Sequence, residues 1–300
     1  MRRRMTGLSV FLSVLAGTLA LVSVLGVTGT GGSHASAAGP PPVGQRLRVM
    51  SYNIHAGAGH DNVFDLERQA TAIEAQRPDV VALQEVDVHW AARSDYADVA
   101  SWLSRRLRMR AFFGPIYTLP PDRANAPPRE YGLAILSRRP ILAVENHKIT
   151  RLSTQVPDPV PELAPGFPEI VISVRGVRLR VYDTHLDYRA DPSVRRAQVA
   201  DMLAIMNERP GAKVLAGDFN APPDAPELAP LWGELSDAMA RASRSDIPTY
   251  PADVPGQRID YVTTTPGIAV RAAWVPETLA SDHRPVVTDL VIPSSPETTP

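Results

Sequence analysis

The chain is expected to fold as α/β. Two observations lead there. Short apolar or alternating runs of strand length are interleaved with stretches of helical periodicity between Arg46 and Ile292. In addition, polar segments recur where those apolar runs end. They are Ser51-Tyr52-Asn53-Ile54-His55, Leu83-Gln84-Glu85-Val86-Asp87, Asp183-Thr184-His185-Leu186, Gly217-Asp218-Phe219-Asn220, Arg258-Ile259-Asp260-Tyr261-Val262 and Ser281-Asp282-His283-Arg284-Pro285. Side chains delivered from the ends of several strands imply one domain with one rim. A length of 300 residues allows this, and neither an internal repeat nor a second domain boundary is evident.

Arg46 to Tyr52 alternates and turns polar at Asn53, as a strand ending at a site would. Residues 57–63 form a Gly/Asp/Asn loop. Asp65 to Ile73 reads as an amphipathic helix with Asp65 near its N-cap, broken at Pro78-Asp79. Val80 to Leu83 is a short buried strand ending at Gln84-Glu85. Tyr96 to Arg108 is a second helix, with Val99, Leu103 and Leu107 on one face. Leu133 to Ser137 is a strand turned by Arg138-Arg139-Pro140. Residues 155–168 hold five prolines and are expected as an exposed loop. Glu169–Val174 and Val177–Asp183 flank Arg175-Gly176, a two-residue hairpin turn. Ser193 to Asn207 is a helix. Lys213 to Ala216 is a strand delivering Asp218 and Asn220, and Leu231 to Ala242 reads as helical. Arg258–Thr263, Ile268–Trp274 and Pro285–Ile292 complete the strands.

The bulk numbers narrow the classes. Apolar residues make up 44% and charged residues 21%, ample for a sizeable core. Cysteine is absent, which excludes disulfides, thiolate metal sites and thiol nucleophiles. Residues 1–37 carry three arginines and no acid, leaving 28 basic against 32 acidic side chains beyond them. A mildly acidic domain weighs weakly against nucleic acid, whose backbone rewards dense Lys/Arg. Arg2-Arg3-Arg4, the apolar stretch from Leu8 to Val27 and Ala35-Ser36-Ala37 read as a secretory signal over 1–37, with an uncleaved membrane anchor as the alternative. A linker is expected over 38–45, the domain over 46–292 and a disordered tail over 293–300.

The polar segments carry chemistry. Glu85 follows a buried run, where a charge is costly unless paired or metal-bound. Alone it fits a solvated strand end, but Asn53 closes a similar strand, so two oxygen ligands can converge. Ligation by carboxylate, amide and water suits Mg2+ or Mn2+, with Ca2+ also open, rather than zinc. Asp218 and Asn220 would share a face of an extended segment. Asp218 would orient or deprotonate a water, and Asn220 would hold it or a phosphoryl oxygen. The plainer alternative is an Asx turn before Pro222-Pro223. In Asp282-His283 the carboxylate can reach a metal while the imidazole moves a proton, with Asp260 the candidate to fix its tautomer. His185 would complete a two-histidine site suited to a pentacovalent phosphorane. His60, His89 and His147 read as surface residues. Asp87 and Glu130 remain open as supporting groups. Arg138, Arg139, Arg189, Arg195 and Arg196 read as ordinary surface charges, with a gathering at the rim as the alternative.

In this order, the segments closely resemble the endonuclease/exonuclease/phosphatase superfamily with the DNase I-like fold. The resemblance covers about residues 46–292 and includes Tyr131-Gly132-Leu133-Ala134-Ile135-Leu136-Ser137-Arg138, similar to the family's Gly-x-Ala-Ile-Leu-Ser-Arg strand. Leu133 stands where that strand often has Asn. The resemblance implies a four-layered α/β sandwich, two mixed sheets flanked by helices, that hydrolyses phosphoesters with one or two divalent cations. It implies Asn53, Glu85 and Asp282 as metal ligands. It also implies catalytic roles for His185, Asp218, Asn220, Asp260 and His283. The expected activity is that of a secreted, nuclease-like phosphodiesterase acting by in-line attack of water. A sphingomyelinase- or phospholipase C-like lipid phosphodiesterase or a phosphoinositide phosphatase is the alternative, and a non-catalytic binding protein a second one. The expected partner is a phosphoester: nucleic acid, phospholipid or small phosphodiester. No stable protein partner is implied, and a monomer is expected.

Overall fold

The computed structural model describes residues 44–293. The segments read as signal, most of the linker and most of the tail lie outside the described residues. Gly44 and Gln45 already belong to the first strand, paired with Pro293 and Ile292, so the domain starts earlier and ends later than 46–292.

Twelve strands form two six-stranded sheets. The first contains β1 (Gly44–Asn53), β2 (Val80–Val88), β3 (Arg110–Leu119), β4 (Arg129–Ser137), β11 (Ala269–Trp274) and β12 (Val286–Pro293), ordered β11-β12-β1-β2-β4-β3. The second contains β5 (Ile141–Arg151), β6 (Glu162–Val174), β7 (Val177–His185), β8 (Ala212–Asp218), β9 (Ser236–Asp237) and β10 (Asp260–Thr264), ordered β5-β6-β7-β8-β10-β9. Only β1–β2 and β7–β8 pair in parallel, so both sheets are mixed. The helices are α1 (Leu66–Gln76), α2 (Val99–Leu107), α3 (Ser193–Asn207), α4 (Ala229–Glu234) and α5 (Ala238–Arg241).

Strand alternation builds the layers. Leu47, Val49, Val80 and Ala82 from the first sheet meet Ile170, Ile172, Val181 and Val214 from the second in the central core. Their neighbours Met50, Tyr52, Val81 and Leu83 face the other way, onto Leu66, Ile73, Val99 and Leu103 of α1 and α2. Tyr182, Leu215 and Tyr261 likewise face Val199, Met202 and Met206 of α3. The result is the expected four layers, helix–sheet–sheet–helix. Each large side chain fully buried here stabilises by about 1.5–3 kcal/mol.

Several local expectations hold. The Asp65 carboxylate accepts from Arg68 N and caps α1. Val174 pairs with Val177 across Arg175-Gly176, both with positive φ, as a type I′ hairpin requires. Others fail for physical reasons. Helix α2 begins at Val99 and not at Tyr96, because the Asp98 carboxylate accepts from Ser101 N and caps it there. Residues 162–168 are not loop: they extend β6 against β5 despite Pro165 and Pro168, with a register shift at His147/Lys148. The stretch read as one helix over 231–242 is split by β9, where Leu235 turns extended.

Candidate active site

The polar segments do converge, at the rim where the two sheets meet. Strand β2 does not stop at Leu83 as expected. It runs through a bulge between Leu83 and Val86, with Glu85 in the left-handed region at φ 56. The bulge turns Gln84 inward and leaves Glu85 at the rim, the re-aiming that such irregularities commonly perform beside sites. Gln84 Nε2 donates to Asp183 Oδ1 at 2.6 Å, joining β2 to β7 across the sheet interface. Asp183 therefore ties the two sheets together beneath the rim. Burial raises its carboxyl well above the ordinary range.

Asp218 is the hub. Its Oδ2 accepts from Asn53 Nδ2 at 3.1 Å and lies 3.6 Å from His185 Nε2 and 3.7 Å from His283 Nε2. Asn53 Nδ2 also reaches Glu85 Oε1 at 3.1 Å. His283 Nδ1 sits 3.0 Å from Asp260 Oδ2, and the Tyr250 ring packs against the imidazole with centroids 4.7 Å apart. This fixes the ring and leaves Nε2 toward Asp218. Burial works against a charged imidazole, but Asp260 and Asp218 outweigh it and hold His283 up at about 10. Asp282 Oδ1 accepts from the Ser281 hydroxyl and stands 3.7 Å from His55 Nδ1. Ser281 Oγ also donates to Asn53 O at 2.8 Å, tying this loop to the end of β1.

One expectation needs correction. Asp218-Phe219-Asn220 is not an extended run. Strand β8 ends at Asp218, Asn220 has φ 49, and its backbone N donates to Asp218 Oδ1 at 2.9 Å. The Asx turn and the site are one structure: the turn swings the Asn220 side chain to Leu186 O at 3.0 Å while keeping it on the cavity wall. Immediately before it, Gly217 is required, since a β-carbon there would collide with the Thr184 carbonyl of the adjacent strand.

The cavity over this rim measures about 520 Å3 and is lined by Glu85, His185, Asp218, Asn220, Asp282 and His283. Six of the eight expected residues thus line it, and Asn53 touches two of these, Glu85 and Asp218. Asp260 acts one layer behind, through His283. Supporting residues that local pattern did not single out also line the cavity: Trp90, Arg93, Tyr117, Tyr131, Arg151 and Tyr250. The five arginines considered from sequence do not. Arg195 is buried against Glu227 at 2.7 Å, and Arg189 pairs with Asp187. Asp87 is buried and consumed by Arg93 and Ser94, while Glu130 accepts from Thr118 away from the cavity. His147 is not a surface residue. It is buried, with Nε2 2.8 Å from Glu169 Oε2.

The donor set fits a hard divalent cation. Glu85, Asp218, Asp260 and Asp282 gather without an Arg or Lys partner among the described residues, and Asp260 Oδ1 is buried with no hydrogen bond. Carboxylate and amide oxygens at one rim, with only histidines to balance their charge, are the ligands that Mg2+, Mn2+ or Ca2+ takes.

Comparison with known proteins agrees with this geometry. Over 109 residues the chain is 28% identical to a UPF0294 protein of Vibrio vulnificus, a match spanning about a third of each chain (32% and 34%). An endonuclease/exonuclease/phosphatase structure from Beutenbergia cavernae superposes with a TM-score of 0.65 at 27% identity, covering 85% of this chain and 73% of the other. The human Nocturnin catalytic domain with bound sulfate superposes at 0.60 with 21% identity, covering 82% and 93%. The model of the Endonuclease/Exonuclease/phosphatase family matches residues 50–283, and with the four-layered sandwich and the rim of Asp218 and His283 inside that span, the chain belongs to this family.

Proposed function

We propose that this protein is a divalent-metal-dependent phosphodiesterase in which a water, oriented and deprotonated at Asp218 Oδ2, attacks phosphorus in line with the leaving oxygen. Family membership makes it phosphoesterase-like, and members are typically divalent-metal dependent. The observation that carries the finer reading is the environment of Asp218. A single carboxylate oxygen faces Asn53 and two histidines, within 3.1–3.7 Å, at the floor of an open cavity.

Each residue then has a task. Asp218 holds the nucleophile and takes its proton. Asn53 fixes Asp218 and Glu85 relative to each other by donating to both. His283, kept protonated by its carboxylate neighbours and locked by Asp260, donates from Nε2 to a phosphoryl oxygen or to the departing oxygen. His185 faces the same space from the other side of Asp218. Asn53, Glu85 and Asp282 would hold the cation, whose contribution is to neutralise charge building on phosphoryl oxygens. Export by residues 1–37 belongs to the same proposal. It rests on Arg2-Arg3-Arg4 and Ala35-Ser36-Ala37, and intact mass of the exported protein tests it.

The deciding experiment is turnover of bis-p-nitrophenyl phosphate, plasmid DNA, RNA, sphingomyelin and phosphoinositides with Mg2+, Mn2+, Ca2+ or EDTA. Metal-dependent cleavage abolished by Asp218→Ala is expected. Near-wild-type turnover in folded Asp218→Ala would overturn the assignment.

A further inference from the structure

The cavity has two chemically different ends. At one end stand the carboxylates and histidines. At the other, beside Glu85, three aromatic rings from the first sheet form a continuous wall. Tyr117 and Tyr131 are cross-strand partners on β3 and β4, with centroids 6.2 Å apart and planes at 21°. Trp90, just past the end of β2, lies 5.7 Å from Tyr131 and 6.3 Å from Tyr117. All three line the cavity. Two guanidiniums accompany them, Arg93 over Tyr131 at 5.6 Å and Arg129 over Trp90 at 6.0 Å.

Packing alone does not require this wall. Aromatic residues in the three cores of this domain are buried between layers, whereas these rings are half-exposed to a cavity at the rim. Two of the polar groups around them are already used. Asp87 is taken by Arg93 and Ser94, and the Tyr117 hydroxyl accepts from Thr154 N at 3.0 Å. Little remains to bind the many hydroxyls of a free hexose, while the ring faces are suited to a flat partner. The Tyr117–Thr154 contact also latches the 152–161 segment to the wall, with Arg189 reaching the carbonyls of Leu152 and Ser153 from the other side. That latch sets one edge of the cavity, on the side of the aromatic wall.

Beneath the wall lies a second unusual group. Arg151 is only 8% exposed, yet its guanidinium meets no carboxylate among the described residues. It donates to the backbone carbonyls of Pro165, Gly166 and His185. Burial brings it down to about 10, which still leaves it charged at neutral pH. A buried cation without a counter-ion, on the lining of a cavity, favours an anion entering that cavity.

We infer that Trp90, Tyr117 and Tyr131, above Arg151, form a subsite for a planar ring carried by a small phosphoester, so that the preferred substrates are nucleotide-sized esters rather than long polynucleotides, hexose phosphates or lipids. The inference rests on the phosphoesterase reading and adds to it the substrate class.

The test compares a dinucleoside monophosphate with a ring-free diester, glycerophosphoethanolamine, using the full chain and Mn2+. Wild type should favour the dinucleotide. In Trp90→Ala, the ratio of the two kcat/KM values should fall about tenfold, mainly through KM, as loss of one base–aromatic stack predicts. Trp90→Phe should restore most of it. Equilibrium binding of adenosine 5′-monophosphate, followed by tryptophan fluorescence, should weaken in parallel. A ratio unchanged in Trp90→Ala would overturn the subsite while leaving the phosphoesterase reading intact, as would preference for mannose 6-phosphate, sphingomyelin or plasmid DNA. If wild type cleaves none of these, the phosphoesterase reading falls, and adenosine monophosphate binding that is lost in Trp90→Ala still upholds the ring subsite.

Discussion

Two clusters in this molecule use the same residue types and come out differently. Asp218, Asp260 and His283 place one ligating atom each within 4.8 Å of one another, and so do Glu145, His147 and Glu169 on β5 and β6. In the second cluster every charge is answered. Glu169 meets both His147 and Arg180, and Glu145 meets Arg209 at 3.1 Å. In the first, Asp218 and Asp260 share the single imidazole of His283, no Arg or Lys is paired to either among the described residues, and the group opens on the cavity. A balanced cluster contributes rigidity. One with more carboxylates than cations, facing solvent at a rim, is poised for a cation and an anionic substrate. Composition alone does not separate a site from a structural ion network. Charge balance and access do.

The largest break in that comparison comes from the hub. Asp218→Asn should reduce turnover by about 10²–10⁴-fold, the span for loss of a positioned general base, while the protein stays folded. Steady-state kinetics beside circular dichroism checks both halves. Next, a cation should raise the melting temperature. At a concentration of about 100 Kd the stabilisation is about 2.7 kcal/mol, so about 5–10 °C in a domain of this size. Thermal scans in Mn2+ should show that shift in wild type and in Glu169→Gln, and should lose it in Glu85→Gln. An equal shift in all three would place the cation elsewhere.

The second cluster should respond in stability and not in turnover. Glu169→Ala strands Arg180 and the buried His147, at a cost of about 2 kcal/mol. This is below the figure for a fully buried pair because Arg180 is partly exposed. Denaturant midpoints test it. The smallest effect is a pH dependence. Burial alone would raise Glu169, but the His147 and Arg180 hydrogen bonds outweigh it and lower it overall. A carboxyl depressed in the folded state contributes stability that is fully present above its unfolded value, about 4.3, and fades as pH falls through the lower folded value. Wild type should therefore lose stability below pH about 4 more steeply than Glu169→Gln. Parallel curves would show that the ion network carries no net linkage.

Much of this fold could be read from local pattern, and the misses are instructive. Strands β1, β2, β7 and β8 announce themselves because both faces are buried, so their apolar runs are dense. Local pattern does not reveal strands β3 and β5. β3 carries Gly114 and Pro115 at its centre and lies at a sheet edge, and β5 exposes much of Ile141–Asn146. Their identity as strands depends on β4 and β6, not on periodicity. The burial of His147 is hidden in the same way, since it comes from that pairing. The site shows the same division. Asn53, Glu85, His185 and Asp218 each follow a run rich in apolar residues and His283 stands just before one, a signal visible in one dimension. Trp90, Tyr117 and Arg151 follow none, because they reach the cavity only once β3 pairs with β4 and β5 with β6.

By itself, then, the amino-acid sequence determined the α/β class, the caps and the tight hairpin, and the residue types that a metal-assisted phosphoester reaction requires. These depend on chain-local geometry and on side-chain chemistry, which a linear pattern carries. The tertiary structure decided which carboxylates lack an Arg or Lys partner, which arginines face the cavity, that Glu85 reaches the rim through a bulge, and that three rings stand beside it. Those outcomes are set by contacts between segments distant in sequence, where pairing register and charge balance, rather than residue identity, fix what each group does.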